Sequence, residues 1–171
     1  MFWFELNSVA APQLAVDQIE PAAVVQVPAQ QGAARRTLLY VEDNPANLTL
    51  VEQLIERRSD LRLLTAINGT LGVNLARAQQ PEVILMDINL PGISGIQALK
   101  ILREDPLTAH IPVLAISANA MPGDIRKGLD AGFFRYLTKP IKVAEFMAEL
   151  DVALAFAEKC AEKNTGKINN T

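Results

Sequence analysis

The chain has 171 residues, half of them apolar, and a formal net charge of −3 at pH 7. Such a length accommodates one domain with extensions, and this apolar content is enough for a core. No apolar run approaches the ~18 residues that cross a bilayer, and the first residues lack the basic start of a signal peptide. The single cysteine, Cys160, excludes a disulfide framework and fits a reducing cytosol. We therefore expect a cytoplasmic chain with no membrane contact of its own, although a longer parent protein could carry an anchor.

The first 34 residues differ in composition from the rest. They contain all of the net charge, because Glu5, Asp17 and Glu20 have no Lys or Arg to balance them. Residues 6–34 are rich in Ala, Gln, Val and Pro without a periodic pattern, which predicts a linker. Residues 1–6 include a strand-like aromatic run and are interpreted as the end of a preceding domain. No basic face indicates nucleic-acid binding.

From residue 35 to residue 157, strand and helix patterns alternate five times. The predicted strands cover residues 37–41, 61–66, 83–87, 111–117 and 133–137. The predicted helices begin at Asn44-Pro45 and at about residues 70, 95, 122 and 143, and the last ends near Ala157. Core faces are expected for four of these helices. They are Leu48, Val51 and Ile55 on the first; Leu71, Leu75 and Ala78 on the second; Ile96, Leu99 and Leu102 on the third; and Phe146, Leu150 and Ala153 on the fifth. Residues 158–171 are expected to form a C-terminal tail.

This alternation predicts an α/β fold, because parallel strands need right-handed helical crossovers. A flavodoxin-like, doubly wound, five-stranded parallel sheet in the order 2-1-3-4-5 with five helices is expected. In that order the chain reverses direction between strands one and three, which opens a crevice above their carboxyl ends.

Acidic residues follow the two strands that border this crevice. Glu42-Asp43 follow the first strand, and Asp87 ends a fully apolar strand just before Pro91-Gly92. Three carboxylates in one cleft repel one another by about 4 kcal/mol per pair at ~4 Å and an effective dielectric near 20. Lys139 can neutralise one charge, and the remaining oxygens suit a hard divalent cation such as Mg²⁺. Asp87 could then attack phosphorus in line and form an acyl phosphate.

Five motifs resemble the signature of response-regulator receiver domains. They are Glu42-Asp43, Met86-Asp87 with Pro91 and Gly95 beyond it, Ser117-Ala118, Tyr136-Leu137-Thr138, and Lys139-Pro140. The resemblance implies that Asp87 is the phosphoacceptor. It implies that Mg²⁺ or Mn²⁺ is bound by Asp43 directly, by Asp87, by the backbone carbonyl of Asn89, and through water by Glu42. It also implies that Lys139 contacts the phosphoryl oxygens, and that Ser117 and Tyr136 move on phosphorylation to repack the surface of helix four, strand five and helix five.

The resemblance implies a signalling domain that assists its own phosphorylation and dephosphorylation, not an enzyme acting on other substrates. Its phosphodonor would be a histidine kinase or a histidine phosphotransfer protein, and a homodimer remains open. Phe2-Trp3-Phe4-Glu5-Leu6 resembles the final strand of a histidine-kinase ATP-binding domain, which favours the C-terminal receiver of a hybrid sensor histidine kinase.

Two other functional classes fit these residues less well. The haloacid-dehalogenase phosphatases carry a second Asp two residues after the nucleophile, where Pro45 follows Asp43 here. A flavin-binding loop would be rich in Ser, Thr and Gly, whereas Glu42-Asp43 would repel a phosphate without a metal. His110 is the only histidine and is expected in a loop without acidic neighbours. The alternative that stays open is a receiver that is never phosphorylated and serves only as a protein-docking module.

Overall fold

The computed structural model describes residues 35–168, and it describes side chains as far as residue 162. The predictions for residues 1–34 lie outside the described part. The elements are β1 (Arg36–Val41), α1 (Pro45–Ile55), β2 (Leu61–Ala66), α2 (Gly69–Gln79), β3 (Val83–Asp87), α3 (Gly95–Glu104), β4 (Val113–Ser117), α4 (Pro122–Asp130), β5 (Arg135–Thr138) and α5 (Val143–Ile168).

The five strands form one parallel sheet in the order β2-β1-β3-β4-β5. This order confirms the predicted topology and makes β1 and β3 neighbours, with Val41 paired to Met86. All five residues of β3 are buried, as expected of a central strand covered on both faces. The carboxyl ends of β1 and β3 therefore lie side by side at the end of the sheet where all five strands finish, called here its carboxyl edge.

Helices cover both faces of the sheet, so the core has two halves. Because side chains alternate along a strand, Ile84 and Met86 of β3 pack with α2 and α3 on one face. Val83 and Leu85 pack on the other face, against α1 and α5. Within residues 35–168, no helix combines the length and apolar character needed to cross a membrane.

Side-chain caps explain where three of the helices begin. The carboxamide oxygen of Asn44 accepts a hydrogen bond from the Ala46 amide at 2.9 Å, and Pro45 opens α1 as predicted. Asn68 caps α2 in the same way, and Ser94 forms a capping box with Gln97 at the start of α3. Helix α4 has no side-chain cap at Met121.

The predicted core face of α2 is wrong. Leu71 and Ala78 are exposed and Leu75 is half-buried, whereas the buried residues are Gly69, Gly72, Val73 and Ala76. The reason is close packing at Gly72, where a Cβ atom would lie 2.7 Å from Cγ2 of Val41. Since glycine lets the helix approach β1, its small residues turn inward and Leu71 turns out. A pattern that counts only large apolar residues misses such a face.

The core faces of the other helices largely match the prediction. Ile96 was placed inward on α3 but is 41% exposed, and Ala98 lies in the core instead, beside Leu99 and Leu102. On α5, the predicted stripe of Phe146, Leu150 and Ala153 is confirmed as fully buried. This helix continues to Ile168, past the predicted end at Ala157.

Candidate functional site

The predicted site residues come together at the carboxyl edge of the sheet. Asp87 and Ser117 are the last residues of β3 and β4. Glu42 follows β1 directly, and its amide donates to the Ala66 carbonyl at 2.9 Å, so it continues the strand pairing by one residue. Lys139 follows β5 and is held likewise, since its amide donates to the Ser117 carbonyl at 2.8 Å. The sheet itself therefore fixes the backbone of the site.

The ammonium group of Lys139 bridges two carboxylates. Its Nζ lies 2.6 Å from Oδ2 of Asp87 and 2.8 Å from Oε2 of Glu42. The Glu42 side chain is fully buried and that of Asp87 is 5% exposed, whereas the Lys139 side chain is 20% exposed. At these distances both contacts are charge-assisted hydrogen bonds. They compensate one of the two negative charges that the buried carboxylates bring together.

Both oxygens of Glu42 accept hydrogen bonds from the protein. Oε2 accepts from the Tyr40 hydroxyl at 2.8 Å as well as from Lys139, and Oε1 accepts from the Asn44 amide at 3.2 Å. Tyr40 was not among the residues predicted for the site. Its signal in the sequence is a single tyrosine in an apolar strand, two residues before Glu42 and therefore on the same face. A buried tyrosine hydroxyl usually has a partner.

The pKa directions at this cluster follow from burial and from these contacts. Burial disfavours the charged form of Glu42, but hydrogen bonds from Lys139, Tyr40 and Asn47 outweigh it and lower the pKa of Glu42. Burial likewise disfavours the Lys139 cation, but the hydrogen bonds to Asp87 and Glu42 outweigh it and raise the pKa of Lys139. Burial, together with the hydrogen bond to Glu42, raises the pKa of Tyr40. The cluster therefore holds a charged lysine and a charged glutamate beside a neutral phenol.

Asp87 is oriented by its own loop. Its Oδ1 accepts a hydrogen bond from the Asn89 amide at 2.9 Å, while its Oδ2 faces Lys139. Gly95 lets α3 begin directly against this loop, because a Cβ atom at Gly95 would overlap the carbonyl oxygen of Asp87. Steric exclusion of a Cβ atom therefore explains why a glycine stands at position 95.

Three carboxylates gather as predicted. Glu42, Asp43 and Asp87 each offer one oxygen atom, and these three atoms lie within 4.8 Å of one another. Asp43 is exposed, whereas the other two are buried. Carboxylate oxygens at this separation match the chemistry of a hard divalent cation such as Mg²⁺, which takes one or two carboxylates and keeps several waters.

The remaining predicted residues form a second contact chain on the β4–β5 side. The Ser117 hydroxyl oxygen accepts a hydrogen bond from the Asn119 amide at 3.1 Å, and the Tyr136 hydroxyl donates to the Asn119 carbonyl at 3.0 Å. The ring of Tyr136 lies against α4, where a Cβ atom at Gly128 would come within 2.8 Å of its Cδ2. Gly128 was also missed from the sequence, because nothing local marks a glycine that accommodates a ring from a later strand.

Comparison with known proteins places this chain in a family. The family model described as "Response regulator receiver domain" matches residues 38–151. The polar-differentiation response regulator DivK of Brucella anthropi is 40% identical over 112 residues, which cover 66% of this chain and 90% of that protein. DivK of Brucella ovis is 39% identical over the same shares.

Solved structures show the same similarity. The receiver domain of the sensor histidine kinase PA1611 from Pseudomonas aeruginosa PAO1, which has a magnesium ion coordinated in its active-site cleft, is 35% identical with a TM-score of 0.65. The match covers 71% of this chain and 99% of that one. CheY4 of Vibrio cholerae is 22% identical with a TM-score of 0.66, covers 71% of this chain and shares the fold. The chain described here belongs to the response regulator receiver family of two-component signalling.

Proposed function

We propose that this domain accepts a phosphoryl group on Asp87 from a phosphohistidine partner and changes a protein-binding surface in response. The observation that carries the proposal is the position of Lys139, whose ammonium group joins Asp87 and Glu42 at the carboxyl edge of the sheet. A lysine in that place neutralises the nucleophile's surroundings and can donate hydrogen bonds to an incoming phosphoryl group.

The acidic cluster is proposed as a Mg²⁺ site, with Mn²⁺ as an equivalent ion. Asp43 is exposed and is assigned as the direct ligand, together with Asp87 and the backbone carbonyl of Asn89. Glu42 is assigned an indirect role through water, because its side chain is fully buried and its carboxylate accepts hydrogen bonds from Tyr40, Asn44 and Lys139. The magnesium ion in the related PA1611 receiver supports the assignment. When bound, the cation would neutralise the carboxylates and the oxygens of the phosphoryl group.

The chemical step is an in-line displacement at phosphorus. A carboxylate oxygen of Asp87 forms the new O–P bond, and the N–P bond of the donor phosphohistidine breaks. The imidazole nitrogen keeps the electron pair of that bond. Lys139 turns from the carboxylate to the phosphoryl oxygens, and the Ser117 hydroxyl donates a hydrogen bond to one of them. Most of the rate enhancement comes from positioning and charge neutralisation.

The response to phosphorylation is proposed to travel along the Ser117 side of the site. Movement of the Ser117 hydroxyl breaks its contact with the Asn119 amide and disturbs the carbonyl that accepts from Tyr136. Tyr136 then moves inward, and the surface of α4, β5 and α5 repacks. The added charge thus biases an element with two packings.

The partner is proposed to be a histidine kinase or a histidine phosphotransfer protein, in a cytoplasmic setting. Residues 1–6 favour a hybrid sensor histidine kinase as the parent protein, in which this domain serves as an acceptor and not as an enzyme on other substrates. A homodimer, if formed, would use the α4–β5–α5 surface. No nucleic-acid partner is proposed.

The test is phosphorylation with a small-molecule donor. In the presence of Mg²⁺, acetyl phosphate or phosphoramidate should add one phosphoryl group to the wild-type chain, detected by intact-mass spectrometry, and none to Asp87→Asn. Asp124→Asn, which changes an acid in the first turn of α4, is the matched control and should be labelled like wild type. Equal labelling of Asp87→Asn would refute the assignment. If wild type takes up no phosphoryl group from either donor yet binds its partner normally, the docking-only function replaces this one.

The metal roles have their own ranking test. Asp43→Ala should weaken Mg²⁺ binding more than Glu42→Ala, because a direct ligand loses more than one acting through water. Isothermal titration calorimetry without a phosphodonor measures both affinities. The opposite ranking would exchange the two roles.

A further inference from the structure

Tyr40 is fully buried, and its hydroxyl is a polar group that apolar packing alone would not require. Its ring belongs to the apolar core between the sheet and the α1/α5 layer. Phenylalanine would fill the same space without a polar atom to desolvate, and an unpaired hydroxyl there would cost roughly 1–3 kcal/mol. Within the described residues, the hydroxyl donates to Oε2 of Glu42 at 2.8 Å. The polar end of this side chain therefore serves the acidic cluster.

The contact to Tyr40 differs from the one to Lys139, although both reach the same oxygen of Glu42. Lys139 also bonds Asp87 and is one-fifth exposed, so it can turn toward an incoming anion. Tyr40 is anchored in the core and cannot follow. When Lys139 turns away, the Tyr40 hydroxyl remains as a donor that orients the Glu42 carboxylate, together with the Asn44 amide and the Asn47 side chain.

We propose that Tyr40 is a positioning residue for the divalent cation, because its hydroxyl fixes the orientation of Glu42 within the cluster formed with Asp43 and Asp87. This inference rests on the metal site of the proposed function. Removing a hydrogen-bond partner that orients a metal-binding group typically lowers metal affinity ~10–100-fold. Tyr40 acts on a carboxylate that itself acts through water, so the lower end, about tenfold, is expected.

The experiment measures Mn²⁺ binding to the full chain without any phosphodonor. Free Mn²⁺ is counted by its electron paramagnetic resonance signal, and Mg²⁺ affinity follows from competition. Tyr40→Phe should bind Mn²⁺ about tenfold more weakly than wild type. Phe146→Leu is the control, since it changes a fully buried ring of the same core without touching Glu42. It should lower thermal stability and leave the Mn²⁺ affinity unchanged.

A double-mutant cycle separates positioning from a general structural effect. In a Glu42→Ala background, adding Tyr40→Phe should change Mn²⁺ affinity by less than about twofold, because the hydroxyl has lost the group through which it acts. If Glu42→Ala fails to fold, the side-chain carboxyl ¹³C resonance of Glu42 replaces it and should shift in Tyr40→Phe but not in Phe146→Leu.

The outcomes distinguish this inference from the proposed function. If wild type binds Mn²⁺ and Tyr40→Phe binds it equally well, the inference is overturned and the metal site stands. A tenfold loss that persists in the Glu42→Ala background, or that Phe146→Leu reproduces, also overturns it. If wild type binds neither ion, the metal site itself fails and the inference falls with it.

Discussion

Removing the charge of Lys139 should destabilise the domain through the two carboxylates that it bridges. In Lys139→Met, Asp87 and fully buried Glu42 would lose the cation that lies 2.6 and 2.8 Å from them. Removing one partner of a buried ion pair costs about 3–5 kcal/mol. Because Lys139 is 20% exposed, we expect the lower end, about 3 kcal/mol. For a domain of this size that corresponds to a fall in Tm of roughly 10 °C.

The same variant should gain more from Mg²⁺ than wild type does. A cation in the acidic cluster would replace part of the missing positive charge, so the stability difference between the two proteins should narrow at saturating Mg²⁺. Urea unfolding at neutral pH, followed by circular dichroism with and without Mg²⁺, measures both effects. The matched control is Lys142→Met, because the Lys142 side chain is 74% exposed and its Nζ lies 3.8 Å from Oε2 of Glu145. It should change stability by less than about 0.5 kcal/mol.

Two results would refute this account of Lys139. One is a Lys139→Met protein as stable as Lys142→Met, since the bridged carboxylates would then tolerate each other without a cation. The other is a loss that Mg²⁺ leaves unchanged, since the defect would then lie in packing and not in charge. Either result would also weaken the assignment of the acidic cluster as a cation site.

Three further variants probe other contacts. Arg103→Met should cost about 2 kcal/mol in urea unfolding, because the half-buried guanidinium donates at 2.8–3.0 Å to three backbone carbonyls in the loops before β4 and β5; a loss below 0.5 kcal/mol would contradict this. Gly128→Ala should displace the Tyr136 ring, seen as changed ring resonances in NMR spectra, whereas unchanged resonances would show that the helix moves instead. The hydrogen bonds from Arg58 lower the pKa of Asp60 to about 2, so this pair stabilises the fold above the unfolded-state pKa of 3.8 and loses that effect as the pH falls through 2. Asp60→Asn should therefore be less stable than wild type near pH 6, by under ~1 kcal/mol because the Asp60 side chain is 46% exposed, and the difference should shrink as the pH falls to 2; a difference that stays undiminished at pH 2 would point to packing.

The sequence predicts the sheet well because the strands are short apolar runs with clear breaks. β3 ends at Asp87 and β2 covers Leu61–Ala66, both as predicted. Once the alternation fixes the topology, the acids and the lysine must meet, because each directly follows or ends a strand whose neighbours are known. Their convergence could therefore be predicted without any side-chain coordinates.

Other features were out of reach for reasons of size and distance. Gly72 and Ala98 lie in the core because small residues permit close approach, and a pattern based on large side chains overlooks them. The Tyr40 hydroxyl finds its partner only because of the side-chain rotamer of Glu42. The position of the Tyr136 ring depends on Gly128, which belongs to a different element. Which oxygen of Glu42 faces Lys139 is a matter of packing, and no spacing in the sequence encodes it.

The packing of α4 gives the proposed output surface a physical basis apart from the family resemblance. Gly128 is the only buried residue among the nine of α4, and no side chain caps its start at Met121. Helix α3, by contrast, buries Gly95, Ala98, Leu99 and Leu102 and begins with a capping box. Elements with few buried contacts open and shift at low free-energy cost. The Tyr136 ring lies against Gly128 of α4, and its hydroxyl donates to the carbonyl of Asn119 in the loop that follows Ser117. A small movement of Ser117 is therefore transmitted to α4, which is less firmly packed than α3. A charge placed on Asp87 could move α4 with a few kcal/mol, whereas moving α3 would require breaking its packing against the core.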